Sequence, residues 1–260
     1  IPEEVEALFD GIGTIGGVVH SIAYANPKTC LGESFHTDAI DDIKTSFEVS
    51  CVSLATVARY AAGAMPDGGA IVTMTFDSQR AFPFYNWMGV NKAALEGTVR
   101  ALAREHGRSL IRVNAVSAGP LKTKAATNIP GFNELAETWN ASSLMPWDTE
   151  NDKHAVANAV TYLVGPYSDK ITGQTLYVDG GACIEKRPVL VQDLDEHASS
   201  RPRCPQSGHH LRPRGGVEDV GVLVVGTQAQ GDLRRRHGSH PTASRSPIKE
   251  VIDTWPSFEE

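Results

Sequence analysis

The chain has 260 residues, of which 41% are hydrophobic and 21% are charged, and its formal net charge is −7. This length and composition predict a globular α/β domain, and the acidic balance argues against nucleic acid or an anionic membrane as the main partner. No apolar run reaches the roughly 18–20 residues that a membrane span needs. The cysteines lack metal-ligand spacing and are too few for a disulfide framework. They are Cys30, Cys51, Cys183 and Cys204. We expect a reduced, cytoplasmic protein without a metal site.

Helices and short apolar strands alternate along residues 1–185. One predicted helix ends near Asp10, and three more cover Ile40–Met65, Tyr85–His106 and Ala155–Leu163. The predicted strands are Gly17–Ile22, Ala70–Met74, Ile111–Val116 and Gln174–Val178. Short apolar strands between helices are typical of a parallel sheet that is buried on both faces. This pattern predicts a doubly wound, Rossmann-like sheet, in which ligands bind at the carboxyl ends of the strands.

Residues 186–260 differ in composition, since they hold 11 Lys and Arg against 10 Asp and Glu, and seven of the 15 prolines. We expect a low-order tail, and therefore a boundary between a partial Rossmann-like domain at 1–185 and a tail at 186–260. Within the tail, Val220–Val225 is typical of a buried strand, and Ile248–Trp255 predicts one or two helical turns.

Tyr85 and Lys92 are the residues best suited to chemistry. Their separation of seven residues is about two helical turns, or about 10.5 Å along the axis, which places both on one helix face. A phenol can donate a hydrogen bond to a carbonyl oxygen that gains negative charge, and an ammonium group can stabilise that charge and bind ribose hydroxyls. An isolated tyrosine and lysine at this spacing are more often a packed tyrosine and a solvated lysine without a catalytic role.

The residues around this pair resemble the enoyl-[acyl-carrier-protein] reductases of the short-chain dehydrogenase/reductase superfamily, most closely the mycobacterial and other actinobacterial type. Phe76, Tyr85 and Lys92 match that family's aromatic–Tyr–Lys intervals. Other short-chain dehydrogenases separate Tyr and Lys by three residues, and this chain has Gly89 where that lysine would stand. Four further segments agree with the family, which are His20–Ala23, Arg112–Thr123, Met145–Trp147 and Thr172–Ala182.

The resemblance implies reduction of the 2,3 double bond of a trans-2-enoyl-acyl-carrier-protein thioester during fatty-acid elongation. It implies NADH, in preference to NADPH, as the hydride donor, acyl-carrier-protein or CoA thioesters as substrates, and a homotetramer. Two alternatives stay open. The chain could be another short-chain reductase that acts on a 3-oxoacyl or ketone substrate, or an inactive truncated subunit.

Residue roles follow from the same resemblance. Tyr85 would bond the thioester oxygen and stabilise the enolate, Lys92 would hold the ribose, and Phe76 would pack beside the nicotinamide. The implied cofactor-binding residues are Ser21, Ile22, Ala23, Met74, Lys92, Gly119, Pro120, Leu121 and Thr123. The implied substrate-binding residues are Tyr85, Phe82, Met88, Ala125 and Ala126, with residues 124–147 as a substrate loop that also offers Phe132 and Leu135.

The resemblance also implies a first strand, a glycine-containing phosphate loop and an acidic residue that binds adenosine, which would normally precede Ile1 and are absent from this sequence. We therefore expect an exposed edge on the strand at Gly17 and weak activity of the chain alone. Other conspicuous residues receive structural roles. We predict a buried core histidine at His20, turn formation by Asp179, and ordering of the loop below Tyr85 by Asp77 and Arg80. Cys204, His209 and His210 are too few ligands to predict a metal site.

Overall fold

A computed structural model describes residues 2–124, 126–185, 222–226 and 248–252. The strands are β1 (Gly17–Ser21), β2 (Gly69–Thr75), β3 (Ile111–Ala118), β4 (Thr175–Val178), β5 (Val222–Gly226) and β6 (Ile248–Ile252). The helices are α1 (Pro2–Asp10), α2 (Ile40–Phe47), α3 (Ser53–Gly63), α4 (Asn86–His106), α5 (Phe132–Ser142) and α6 (Lys153–Val164). A π-helical segment, Glu48–Val52, joins α2 to α3, and single 3-10 turns lie at Gly107–Ser109, Ala126–Asn128 and Pro166–Ser168.

The strands form one parallel sheet in the order β4-β3-β2-β1-β5-β6. From β1 the chain adds β2, β3 and β4 in one direction, whereas β5 and β6 lie on the other side of β1. The predicted doubly wound parallel sheet is therefore confirmed. The direction of strand addition reverses between β1 and β5, and this boundary is a topological switch point.

Two apolar clusters cover the two faces of the sheet. Neighbouring residues of a strand point to opposite faces, so Ile71 and Val72 of β2 enter different clusters. Ile71 packs in the cluster that contains Leu54 of α3 and Leu95 of α4. Val72 packs in the cluster that contains Trp139 of α5 and residues of α6. The burial on both faces explains why the strands are short uninterrupted apolar runs.

The expectation of an exposed β1 edge is wrong, because β5 covers it. Five residues of β5 pair in parallel with β1, from Val222 opposite Gly17 to Gly226 opposite Ser21. Leu223 is only 2% exposed and joins the core of α3 and α4. The strand predicted at Val220–Val225 is thus confirmed, and its pairing satisfies backbone groups that an open edge would leave free.

Three other predictions need correction. Residues Ile248–Ile252 form a strand beside β5 rather than helical turns, because the pairing with β5 supplies their backbone hydrogen bonds. The helix predicted at Ile40–Met65 is interrupted by the π-helical segment. The expected loop at 124–147 contains α5, whose Phe132, Leu135 and Trp139 lie at helical spacing and pack on the core. None of the helices in the described ranges is long and apolar enough to cross a membrane.

Replacement of Leu223 tests whether β5 belongs to the folded core. Leu223→Ala removes buried methyl groups and should lower the free energy of unfolding by about 2–5 kcal/mol. The matched control is Ile184→Ala, at a side chain that is 70% exposed, where we expect a change within about 0.5 kcal/mol. Urea denaturation followed by circular dichroism gives both values. Equal stability of the Leu223 variant and the unchanged chain would show that β5 does not pack against β1.

Candidate active site

The candidate site lies at the carboxyl edge of the sheet. Ser21 of β1 and Gly226 of β5 are register partners at this edge, and Thr75 of β2 lies opposite Ser117 of β3. Ligands of doubly wound sheets bind outside this edge, at the switch point. The chain segments that leave these strands carry the cofactor-binding and catalytic residues that the resemblance implied.

Lys92 is buried beside the carboxyl end of β2. It lies on α4, its side chain is 6% exposed, and its Nζ donates a hydrogen bond of 2.9 Å to the carbonyl oxygen of Met74. Burial lowers the pKa of Lys92 to about 8, against the opposing effects of Glu96 and Cys51. Within the described ranges Met74 is its single hydrogen-bond acceptor. An ammonium group has three N–H donors, so Lys92 can donate further bonds to the hydroxyls of a ligand.

Tyr85 immediately precedes α4 and is half-buried. Burial raises the pKa of its phenol well above the usual value, so the group stays protonated at neutral pH. Its hydroxyl makes no hydrogen bond to any residue in the described part of the chain. Tyr85 is therefore a hydrogen-bond donor that a substrate oxygen can use.

The turn before α4 sets the position of Tyr85. Phe84 and Asn86 on either side of it have positive φ angles of 65° and 25°. This backbone conformation is uncommon for residues other than glycine and requires support from its surroundings. Asn86 provides that support, because its Nδ2 donates to the carbonyl oxygens of Gly32 at 2.6 Å and Ser34 at 2.9 Å.

An aromatic cluster surrounds the Tyr85 ring. The Phe76 ring lies 5.0 Å from Tyr85, 4.8 Å from Phe82 and 5.1 Å from Trp139, measured between ring centroids. A cavity of about 150 Å³ adjoins this cluster, between the chain before α4 and helix α5. Its lining residues are Arg80, Phe82, Pro83, Phe84, Glu134, Leu135, Thr138, Trp139, Ser142 and Ala182. Sequence reasoning missed Trp139, although its spacing from Phe132 and Leu135 marks the buried face of a helix.

The segment after β3 passes between two tryptophans. The Gly119 amide donates to the Val178 carbonyl at 2.9 Å, and Trp147 Nε1 donates to the Pro120 carbonyl at 2.8 Å. A Cβ atom on Gly119 would lie 2.6 Å from Cε2 of Trp147 and 2.8 Å from Nε1 of Trp139. This position therefore requires glycine. Further along the segment, Leu121 is half-buried and Thr123 is exposed.

The segment after β1 is held by polar side chains that sequence reasoning missed. Ser46 and Ser50 both donate to the Tyr24 carbonyl, at 2.8 and 2.9 Å, and Ser50 Oγ also accepts from the Tyr24 amide at 2.9 Å. Asn91, the neighbour of Lys92, donates to Ser46 Oγ at 2.7 Å. Ser50 belongs to the π-helical segment, which is the kind of irregularity often found at functional sites. These bonds connect α4 to the backbone that follows Ile22 and Ala23.

The structural roles predicted for four other residues are confirmed. His20 is fully buried, its ring nitrogens lie 2.9 Å from Thr73 Oγ1 and Ser53 Oγ, and burial lowers its pKa to about 3. The Asp179 carboxylate accepts from the amides of Gly181 and Cys183, at 2.9 and 2.8 Å, and forms the turn after β4.

Asp77 and Arg80 order the loop below Tyr85. The Asp77 carboxylate accepts from the Gln79 amide at 2.9 Å, and Arg80 donates to the Ala182 carbonyl at 3.1 Å.

The remaining predicted residues lie in different parts of the chain, some of them outside the described residues. Met88 is buried on α4, and Ala126 begins a 3-10 turn where its amide donates to Thr123 Oγ1 at 3.1 Å. Ala125 lies outside the described residues, as do Cys204, His209 and His210. Among residues that the structure describes, there is no group of three or more His, Cys, Asp or Glu that could hold a metal ion.

Comparison with known proteins places this geometry in a family. A family profile described as enoyl-(acyl carrier protein) reductase matches residues 1–183. The enoyl-[acyl-carrier-protein] reductase [NADH] of Rickettsia felis is 36% identical over 185 residues, which are 69% of this chain and 70% of that protein. The corresponding [NADH] protein of Bacillus subtilis is 35% identical, covering 71% of this chain and 72% of its own length. A [NADPH] protein of Staphylococcus aureus is 37% identical, with 68% of each chain covered.

A solved structure gives the same result. The crystal structure of the Bacillus cereus enoyl-acyl carrier protein reductase with NADP+ and indole naphthyridinone superposes with a TM-score of 0.68 at 34% identity. The match covers 72% of this chain and 74% of that chain.

Substitution of Gly119 tests the close approach of the two tryptophans. Gly119→Ala should destabilise the fold by about 1–3 kcal/mol, because the new methyl group displaces one of the indoles. The control is Gly97→Ala on α4, where the nearest atom to an added Cβ is Nη2 of Arg100 at 3.9 Å. Alanine in a helix is about 0.5–1 kcal/mol more favourable than glycine, so this control should stabilise the protein. Thermal unfolding followed by tryptophan fluorescence measures both. Unchanged stability of Gly119→Ala would contradict the packing described.

Proposed function

The chain belongs to the enoyl-(acyl carrier protein) reductase family, and we propose that it reduces the 2,3 double bond of a trans-2-enoyl thioester carried by acyl-carrier protein, in fatty-acid elongation. The observation that carries the proposal is the arrangement at the start of α4. Tyr85 offers a protonated phenol beside Phe76, and Lys92, two turns along the same helix, is buried against the Met74 carbonyl.

The proposed reaction uses Tyr85 as the group that stabilises developing charge. A bound dihydronicotinamide would supply the hydride that adds to C3 of the conjugated thioester. Addition at C3 would move the electron pair of the double bond toward the thioester carbonyl, whose oxygen would carry the negative charge of the enolate. A proton taken from solvent at C2 would complete the reduction. The Tyr85 hydroxyl donates a hydrogen bond to that oxygen, and its raised pKa keeps the proton on the phenol while the charge develops.

The dinucleotide would occupy the carboxyl edge of the sheet. Lys92 fits the ribose, because it is charged below pH 8 and retains N–H donors beyond the bond to Met74. The other proposed cofactor-binding residues lie at the ends of β1 and β2 or in the segments that follow β1 and β3 at this edge. They are Ser21, Ile22, Ala23, Met74, Gly119, Pro120, Leu121 and Thr123.

The acyl chain would lie against the aromatic cluster. Phe82 contacts Phe76 and lines the cavity beside α5, and the cavity wall is largely made of apolar side chains such as Leu135 and Trp139. Such a wall stabilises a hydrocarbon chain by removing it from water. We propose Tyr85, Phe82, Met88, Ala125 and Ala126 as substrate-binding residues.

The proposal also includes the family subtype, the identity of the hydride donor, the type of thioester, the assembly and the location. Phe76, nine residues before Tyr85, supports kinship with the actinobacterial type. The names of the Rickettsia and Bacillus subtilis relatives support NADH as the donor, whereas those of the Staphylococcus aureus relative and the Bacillus cereus structure mention NADPH and NADP+. Use of CoA thioesters, a homotetrameric assembly and a cytoplasmic location are further parts of the proposal.

Tyr85→Phe tests the role of the phenol. Loss of one oxyanion donor should lower kcat for a trans-2-enoyl thioester about 100- to 1,000-fold, while the affinity for NADH stays unchanged. Tyr167→Phe is the matched control, because that side chain is 76% exposed, and its kcat should equal that of the unchanged protein. Steady-state NADH oxidation and fluorescence titration provide the two measurements. Full turnover by Tyr85→Phe would exclude the proposed role.

A pH series of dinucleotide titrations tests the role of Lys92. NADH should bind more tightly than NADPH, and its affinity should fall as the pH rises through about 8, because Lys92 then loses its charge. Lys92→Ala should abolish binding, whereas Lys92→Arg, which remains charged, should bind NADH without a loss near pH 8. Tight NADH binding by Lys92→Ala would contradict a role in holding the cofactor.

A further inference from the structure

Glu96 is a buried carboxylate that the proposed reaction does not use. It lies on α4 one turn after Lys92, and its side chain is 3% exposed. Thr75 Oγ1 donates to its Oε1 at 3.0 Å, and Ser78 Oγ donates to its Oε2 at 2.8 Å. A carboxylate in the protein interior costs free energy unless hydrogen bonds and a nearby positive charge compensate it. The hydroxyls supply the hydrogen bonds, and the adjacent turn of α4 supplies the positive charge.

Glu96 is the counter-charge of Lys92, because the other ionisable groups that interact with Lys92 are neutral. The Lys92 charge also acts on His20 of β1, but burial first of all lowers the pKa of His20 to about 3, so its ring is neutral. Cys51 of the π-helical segment also acts on Lys92, but burial raises the pKa of this thiol, which keeps it uncharged at neutral pH. Of the described groups that act on the Lys92 charge, Glu96 is the remaining one that can carry a negative charge.

The two residues whose hydroxyls bond to Glu96 lie on either side of Phe76 in the chain. Thr75 ends β2 directly after Met74, whose carbonyl accepts the Lys92 hydrogen bond. Ser78 lies two residues after Phe76, the ring that contacts Tyr85. The hydrogen bonds to the Glu96 carboxylate therefore connect the chain before and after Phe76 to the helix that carries Lys92.

We propose that Glu96 is a positioning residue, which keeps the Lys92 ammonium charged and holds the Met74–Ser78 segment in place for the nicotinamide ribose. The effect on Lys92 is a property of the protein alone. Its consequence for cofactor binding rests on the proposed function.

Titration of Lys92 by NMR tests this coupling without any cofactor. In protein with ε-carbon-13 lysine, the Lys92 signal is identified by its absence from Lys92→Arg. Glu96→Gln preserves the shape of the side chain but removes its charge, so the pKa of Lys92 should fall by about one pH unit below that of the unchanged protein. Glu105→Gln, an exposed position on the same helix, should leave the Lys92 titration unchanged. An unchanged Lys92 titration in folded Glu96→Gln would overturn the proposal.

A charge-retaining variant separates electrostatics from folding. Glu96→Asp keeps the negative charge but is too short to hold both hydroxyl bonds, so Lys92 should titrate nearer to its value in the unchanged protein than in Glu96→Gln. If Glu96→Gln does not fold, as judged by circular dichroism, Glu96→Asp still gives a result. A fall in the Lys92 pKa in Glu96→Asp by a full pH unit would contradict a role for the charge.

NADH titrations of the same variants connect the coupling to the cofactor. The loss of affinity at alkaline pH should begin about one pH unit lower in Glu96→Gln than in the unchanged protein, and Glu105→Gln should match the unchanged protein. Binding curves of Glu96→Gln that do not shift, although its Lys92 titration does, would refute the role in cofactor binding. A shifted Lys92 titration with no NADH binding by any protein would support the coupling and contradict the proposed function.

Discussion

The hydrogen bond from Lys92 to the Met74 carbonyl is the interaction on which the site depends. A buried ammonium group is tolerated only where an acceptor and a counter-charge lie close to it. This requirement fixes α4 against the carboxyl end of β2, and the geometry of a helix then fixes Tyr85 two turns earlier. The supported turn at Phe84 and Asn86 directs the Tyr85 phenol toward the aromatic cluster. The positions of α4 and of the Tyr85 phenol therefore both depend on how the Lys92 ammonium group is buried.

The sheet places this arrangement where a dinucleotide can reach it. Strand order reverses between β1 and β5. The segment that leaves β1 at this switch point is connected to the Lys92 helix through Ser46, which bonds to both Tyr24 and Asn91. Strand β5 pairs with the backbone N–H and C=O groups along the edge of β1. It also buries Leu223 in the same apolar cluster as Leu95 of α4. Strand β5 therefore supports, through the core, the helix that carries Lys92 and follows Tyr85.

Sequence reasoning succeeded where the signal is local. The intervals among Phe76, Tyr85 and Lys92 fall within one strand-loop-helix unit, so they could be recognised before their contacts were known. It failed where partners are far apart in the chain. The approach of Trp147 to Gly119 could not be predicted, because no periodicity connects them. The strand at Ile248–Ile252 depends on pairing with β5, and such tertiary pairing overrides local propensity.

The most direct test of the account is the fate of the hydride. The 260-residue chain is incubated with NADH that carries two deuterium atoms at C4 and with either a trans-2-enoyl or a 3-oxoacyl thioester of acyl-carrier protein, and the acyl products are examined by mass spectrometry. The account predicts a saturated acyl chain with one deuterium at C3, formed in equal amount to the NAD+ produced. Deuterium found only in the alcohol formed from the 3-oxoacyl thioester, or no oxidation of NADH with either substrate, would contradict it.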